Sequence, residues 1–525
     1  MQLFSAAPVA RRIDVPAEAR GVVSRLRDVG SDPGIFLPAV DERVLEVFRR
    51  ARNPEDPIEL RDLWLGRVEH ERGPQSHRRA WFAEQWRSSV VRRRADAEEV
   101  LKSHATVRFV KELFNWFFRD DLYGELRESA QVILSGGSVD ELNWGLPETL
   151  KECVRYALDR DWYGYSDSCG RVQARQAVAA YESARIEGAS YEAGNIALSM
   201  GGTFAISTLA DFVLTGHSHR VSPALCATPN YPPLVEAIAR RGDVQLVPLP
   251  SIAGRMLLEP LIEALTPQTP LVLVQTAANP TGAAVDEEDL ARLVRAASPS
   301  TIVLLDECHE WLGEPRTLSS WRAASNVVRV SSLSKNWSAP GMKAGWIVAN
   351  TSFISDYYEY ASTNFGGPPS FLYTLVEVLA RMERWMITDT TRLGMAELGE
   401  FEQTYGLSLL RLQAAYDSYC KERRAREQSL HLLRDAAVLE LSQVAMTYRP
   451  HYSINVLVHF EQWDDSYRCF RDLLCETGIS VYPGILNFCF SGGVVRFTTA
   501  RPWKDLELAT ARLRDLIATR EAVHA

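Results

Sequence analysis

The sequence predicts an α/β fold: a mostly parallel sheet in a large domain, a smaller α+β domain at the end of the chain, and a helical extension at its start. Two observations carry this. Between residues 195 and 350, apolar runs alternate with helical segments. The strand candidates are Ile196–Ser199, Val221–Cys226, Val244–Val247, Leu271–Gln275, Ile302–Leu305, Val327–Val330 and Trp346–Ala349. The helix candidates between them include Phe204–Leu214, Pro232–Arg241, Glu259–Leu265 and Glu287–Ala297. Runs of Val, Leu and Ile without alternation fit strands buried on both faces, and helices between strands fit parallel crossovers. The second observation is a change of texture on either side of this block.

Taken in order, residues 1–125 carry helical periodicity after a loose start. Val44, Leu45, Val47 and Phe48 are followed by Leu60, Leu63, Trp64 and Leu65, then by Trp81, Phe82 and Trp86, and by Val107 to Phe117. No convincing alternating strand is found there, and the aromatic residues read as packing. Residues 126–195 lead into the large domain through Val132-Ile133-Leu134, the turn Asn143-Trp144-Gly145-Leu146-Pro147, and an amphipathic helix over Val172–Arg185. Residues 196–365 are the large domain. Residues 366–525 comprise a long helical connection and the small domain. Leu409–Leu433 reads as one long helix or a helix pair, and Ile454–Phe460 and Val494–Ala500 as strands around a helix near Ser466–Leu474.

Composition narrows the function. A chain of 525 residues exceeds one hydrophobic core. It is 46% apolar and 24% charged, as soluble globular chains are, and its formal charge of -9 does not favour nucleic acid or an anionic membrane as partner. The clusters Arg78-Arg79 and Arg92-Arg93-Arg94 read as solvated helix faces. Eight cysteines without C-x-x-C spacing suggest reduced, mostly buried thiols and a cytoplasmic setting. There is no signal-peptide pattern, and no apolar run reaches the roughly 18 residues of a membrane span.

In open α/β sheets ligands sit beyond the carboxyl ends of the strands, and those ends carry the chemistry. Ile196–Ser199 runs into Gly201-Gly202-Thr203 at a helix start, where free backbone N–H groups suit a phosphate. Taken alone, this is also an ordinary Gly-rich turn. Leu271–Gln275 precedes Asn279-Pro280-Thr281-Gly282. Ile302–Leu305 ends in Asp306-Glu307-Cys308-His309, and a carboxylate behind a buried strand needs a cation or N–H partner. Val327–Val330 leads to Ser332, Ser334 and Lys335. Lysine is scarce, with seven among the 58 basic residues, and two of them, Lys335 and Lys343, fall in this stretch.

This set resembles the fold-type-I pyridoxal-phosphate (PLP) enzymes, specifically the class I/II aminotransferase group, over roughly residues 130 to 525. The matching signatures are Tyr165 with Gly170, Gly201-Gly202-Thr203, Pro229-Asn230-Tyr231, Asn279-Pro280-Thr281-Gly282, Asp306, Ser332-x-Ser334-Lys335 and Arg496. The resemblance implies that Lys335 forms a Schiff base with pyridoxal 5'-phosphate and that Asp306 pairs with the ring nitrogen. It implies Asn279 on the ring hydroxyl, Tyr231 on the ring face, and a phosphate held by Gly201, Gly202, Thr203, Ser332 and Lys343, with Tyr165 arriving from a partner subunit; His309 and Ser334 would also be cofactor-binding residues. Arg496 would take the substrate carboxylate in a bidentate pair, and Trp144-Gly145 would lie beside the substrate. The implied partners are an amino-acid substrate and a second copy in a homodimer sharing its active sites.

Two positions depart from the aspartate-aminotransferase pattern. His309 stands where a tyrosine is usual, and Lys343 where an arginine is usual, which loses the guanidinium fork. Both are similar to cystathionine-β-lyase-like members of the group. An aminotransferase and a C–S β-lyase acting on a cysteine S-conjugate, in specialised natural-product biosynthesis, therefore both stay open. Decarboxylation or oxidative deamination, and a PLP-binding transcription regulator, are the alternatives.

Overall fold

The computed structural model describes residues 2–26, 34–74, 79–215, 222–313 and 316–524. The central sheet has seven strands: β1 (Ile196–Ser199), β2 (Ala224–Thr228), β3 (Val244–Pro248), β4 (Leu271–Gln275), β5 (Ile302–Asp306), β6 (Val327–Ser332) and β7 (Gly345–Val348). Their order is β1-β7-β6-β5-β4-β2-β3. Every pairing is parallel except those of β7, which runs antiparallel to β6 and β1. The interior residues of these strands are almost all buried, as two-sided coverage by helices demands.

Four strands run further than the apolar pattern indicates: β2 to Thr228, β3 to Pro248, β5 to Asp306 and β6 to Ser332. β5 includes Asp306 and β6 includes Ser332, so both polar groups sit on the ladder itself. Val221 of the predicted second strand lies outside the described residues; the strand occupies Ala224–Thr228.

A second, antiparallel sheet is formed by β8 (Met446–Tyr448), β9 (Asn455–His459), β10 (Tyr482–Pro483) and β11 (Val494–Thr498), in the order β8-β9-β11-β10. The helices that matter below are α1 (Pro57–Arg72), α2 (His104–Trp116), α3 (Val172–Arg185), α4 (Gly202–Leu214), α5 (Tyr373–Ile387), α6 (Leu409–Leu441) and α7 (Ser466–Thr477). The region around Leu409–Leu433 is one helix, α6, 33 residues long.

The first 125 residues are mainly helical but hold a strand, Ile35–Phe36, that pairs with Ser251–Ile252. Two residues are too few to leave an alternating pattern. α1 starts at Pro57 under an Asp56 cap that accepts from the Ile58 N–H. Three of its charged residues, Arg67, Glu69 and Arg72, are buried. Arg67 pairs with Asp465, Arg72 with Asp472 at 2.8 Å, and Arg471 with Glu69 at 3.0 Å. Arg79 is likewise buried, 2.6 Å from Asp121, which also accepts from the Tyr467 hydroxyl at 2.5 Å. The reading of Arg79 as a solvated residue is therefore wrong, because its partners lie far away in sequence; Arg78 lies outside the described residues. Asp465 serves twice, since it also caps α7 by accepting from Tyr467 and Arg468 N–H.

Charges buried this deeply are tolerable only while paired. Asp465→Ala leaves buried Arg67 with only the partly exposed Glu71 as partner and uncaps α7, so it should lower unfolding stability by about 3 kcal/mol. Chemical denaturation checks this, and a loss below 1 kcal/mol would contradict the network's role.

Candidate active site

The carboxyl ends of β1, β4, β5 and β6 converge on one point. Parallel register places Asp306 of β5 opposite Gln275 of β4. Asp306 is buried, its Oδ2 accepting from Gln275 Nε2 at 2.8 Å and its Oδ1 from the Cys308 N–H at 3.1 Å. Beyond β6 the chain turns through Leu333 and Ser334 to Lys335, whose Nζ donates to the Gly137 carbonyl at 2.5 Å. Burial, reinforced by the charge of Arg496, pulls the Lys335 amine down to about 8 against the opposing pull of Cys308 and Asp306.

Arg496 comes from β11 of the second sheet. It is buried and donates to Asn279 Oδ1 at 3.0 Å and to the Ser135 carbonyl at 2.8 Å. Its guanidinium lies 4.0 Å from the centre of the Tyr482 ring, its neighbour across the β10–β11 ladder. It forms no ion pair with a carboxylate among the described residues, and its Nε has no hydrogen-bond partner. Burial lowers its pKa, with Tyr482 and Tyr231 opposing. Because a guanidinium cannot accept, Asn279 must turn its oxygen to Arg496 and its NH2 away from it.

His309 is buried with Nδ1 3.2 Å from the Ser453 hydroxyl. Burial first, then the charges of Lys335 and Arg496, push its pKa well below the usual histidine value, so the ring is neutral. Tyr231 packs edge-on against Phe114 of α2, ring centres 5.8 Å apart.

On the other flank, Gly201 has φ +83° and α4 begins at Gly202. A Cβ on Gly202 would lie 2.5 Å from Cys308 Sγ and 3.7 Å from Ser332 Oγ, so only glycine fits there. Ser332 Oγ accepts from the Ser334 N–H at 3.3 Å. Lys343 holds a left-handed conformation, φ +52°, with its backbone beside Gly201, and makes no ion pair among the described residues. Thr203 is exposed at the same helix start. Tyr165 is fully exposed and touches none of these groups.

Trp144 and Gly145 are placed differently from the expectation. Trp144 is buried against α6, its indole N–H donating to Ser429 Oγ, and a Cβ on Gly145 would meet the Glu141 carbonyl and the Arg11 guanidinium. The glycine beside Lys335 and Arg496 is Gly137, where a Cβ would approach Arg496 Nη2 to 3.2 Å. Both glycines follow apolar segments, and Ser135-Gly136-Gly137 after Val132–Leu134 was the signal available.

Arg426 of α6 was not singled out either. It is fully buried, pulled down to about 9 by desolvation, and donates to the carbonyls of Trp144, Lys335 and Asn336 and to Ser338 Oγ. A cavity of about 640 Å³ lies behind the Lys335 turn, lined by Tyr181, Arg185, Glu310, Trp311, Trp337 and Arg423 among others. Its arginines are neutralised: Arg185 by Glu182 and Glu307, Arg423 by Glu383 and Glu427.

Unneutralised donors thus lie at the strand ends at two places, Arg496 with its orphaned Nε and the free backbone N–H groups at the α4 start, with the Lys343 backbone beside the latter. A carboxylate and an amine of lowered pKa share these strand ends. This donor set fits a cofactor carrying a phosphate, a ring nitrogen and an aldehyde. The Aminotransferase class I and II family model matches residues 100–395. The chain belongs to that family, whose members use pyridoxal 5'-phosphate, and it is an enzyme of this PLP-dependent type.

Among its relatives, the valine–pyruvate aminotransferase of Mycobacterium tuberculosis is 26% identical over 377 residues, covering 70% of this chain and 87% of that protein. The aspartate aminotransferase of Pyrococcus horikoshii is 24% identical over 278 residues, covering 50% and 68%. Among solved structures, Thermus thermophilus aspartate aminotransferase with maleate aligns at TM-score 0.60 and 22% identity, over 77% of this chain and 95% of that one. The Pyrococcus horikoshii aromatic aminotransferase aligns at 0.61 and 19%, over 76% and 100%. These structural likenesses establish the fold: α/β, fold type I.

Only the neutral Lys335 amine can attack an aldehyde. Its pKa of about 8 means that the apoenzyme should capture PLP faster as pH rises from 7 through 8, then level off. Stopped-flow absorbance across pH measures this, and a midpoint near the free-lysine value would contradict the assigned environment.

Proposed function

We propose that this chain is an aminotransferase acting on an α-amino acid whose carboxylate binds Arg496. The observation that carries the reading is the buried, acid-free guanidinium of Arg496 beside a lysine of lowered pKa. Lys335 is the residue that holds the cofactor covalently. Gly201, Gly202, Thr203, Ser332, Ser334 and Lys343 take its phosphate, Asp306 its ring nitrogen, Asn279 Nδ2 its ring hydroxyl, and Tyr231 its face. Tyr165, exposed on its own subunit, reaches the phosphate of a second copy in a homodimer. The relatives named valine–pyruvate and aspartate aminotransferase support the reaction type.

Pyridoxal 5'-phosphate, when bound, supplies an electron sink that weakens a bond at the substrate α-carbon. The residues choose which bond and where protons go. Arg496 fixes the carboxylate by a fork it need not share with an acid. Lys335 Nζ, lowered to about 8, would take the α-proton in its neutral form and return it elsewhere. His309, uncharged and tied to Ser453, neither competes for the carboxylate nor adds charge near Lys335.

Arg496→Ala should raise KM for amino acids at least tenfold, with Lys335→Ala losing the borohydride-reducible link to the cofactor. Unchanged kinetics in the first, or an intact link in the second, would overturn these roles. His309 and Lys343 favour one second reading, C–S β-elimination from a cysteine conjugate. Release of pyruvate and thiol would establish it, whereas stoichiometric conversion of the cofactor to its amine form without pyruvate establishes transamination.

A further inference from the structure

Asp306 and Arg496, at opposite ends of the site, are joined by side chains. Gln275 Nε2 donates to Asp306 Oδ2 at 2.8 Å, and Gln275 Oε1 accepts from the backbone N–H of Asn279 at 3.3 Å. Asn279 Oδ1 in turn accepts from Arg496 Nη1 at 3.0 Å. The orientation of the Gln275 amide is forced. Flipped, its oxygen would face a carboxylate and its NH2 a backbone N–H, two repulsions in place of two bonds. Gln275, Asn279, Asp306 and Arg496 are all buried, so water does not substitute for a missing link.

We infer that Gln275 is a positioning residue that couples the ring-nitrogen end of the site to the substrate-carboxylate end. It touches neither ligand. It holds the Asp306 carboxylate by Oδ2, leaving the remaining lone pairs for a ring N–H. It also pins the Asn279 backbone, so that Asn279 Oδ1 presents one fixed acceptor to Arg496. Glutamine is required because the two neighbours ask for opposite things, a donor for Asp306 and an acceptor for the Asn279 N–H. Asparagine is one methylene shorter, and glutamate offers acceptors to both.

This rests on the cofactor reading above, so the first control is wild-type holoenzyme: absence of a borohydride-reducible link would fail that reading and not this one. Given the link, two variants separate the arms. Gln275→Glu keeps the acceptor for Asn279 and replaces the permanent amide donor to Asp306 by a second carboxyl that can donate only while it holds a proton. Gln275→Leu loses both. The readouts are the pKa of the cofactor linkage by absorbance titration and the affinity of holoenzyme for propionate, a carboxylate without an amine, by spectral titration.

Gln275→Glu should shift the linkage pKa by about one unit or more and leave propionate affinity within twofold. Gln275→Leu should shift the linkage pKa and weaken propionate at least fivefold. A Gln275→Leu enzyme with both values unchanged, or a Gln275→Glu enzyme that loses propionate as fully as Gln275→Leu, overturns the coupling. If Gln275→Leu does not fold, an unmoved linkage pKa in Gln275→Glu overturns it alone.

Discussion

The arrangement depends on one constraint: a guanidinium, Arg496, is kept out of water without a carboxylate to neutralise it. Desolvating a charge is costly, and the cost is offset by the dipoles of Asn279 and Ser135, the face of the Tyr482 ring and the nearby Tyr231. Its neighbours then cannot be freely charged. Lys335 is held near 8 and His309 stays neutral, with Arg496 among the causes in both cases. An anion entering this site therefore finds a cation whose field is not already spent, and an amine close to its neutral form.

The constraint also explains why two sheets must meet. Arg496 belongs to β11 and Asn279 to the loop after β4, and only the approach of the second sheet to the first sheet's strand ends brings them to 3.0 Å. α6 holds that docking from behind. Arg426 and Arg434, eight residues apart on this helix, donate to backbone carbonyls of the active-site segments: Arg426 to Lys335 and Asn336, Arg434 to Leu312 and Ser453. Ser453 is also the partner of His309. A guanidinium with several donors suits this task, because one planar group can fix carbonyls from two segments at once.

Much of this was legible where a residue type is costly in its local setting. A carboxylate, a lysine or paired glycines directly after an apolar run stand out because buried strands exclude them, and Asp306, Lys335 and Gly201-Gly202 were read that way. What failed was whatever depended on a distant partner. Gln275 is only the last residue of a strand candidate, and nothing in the sequence sets Arg426 and Arg434 apart from the other arginines of a long helix. Arg79 looked solvated because Asp121 and Tyr467 are not its sequence neighbours. Gly137 and Gly145 are equivalent as letters; only the position of Arg496 in space separates them.

The helical extension is not a passive addition to this site. Phe114 of α2 packs on Tyr231, and Phe117 and Phe118, just beyond it, lie against Tyr482 with ring centres 5.5 and 6.3 Å away. Tyr231 and Tyr482 are the two rings whose interaction with Arg496 offsets its burial. Three phenylalanines thus set the positions of the two tyrosines nearest the buried cation. The same extension is anchored through Arg67, Arg72 and Arg79, whose buried partners lie on or beside α7 and at Asp121. The charged network and the aromatic one are consecutive links. The first fixes the extension on α7, and the second carries that fixed position to the rings that make an unneutralised arginine tolerable.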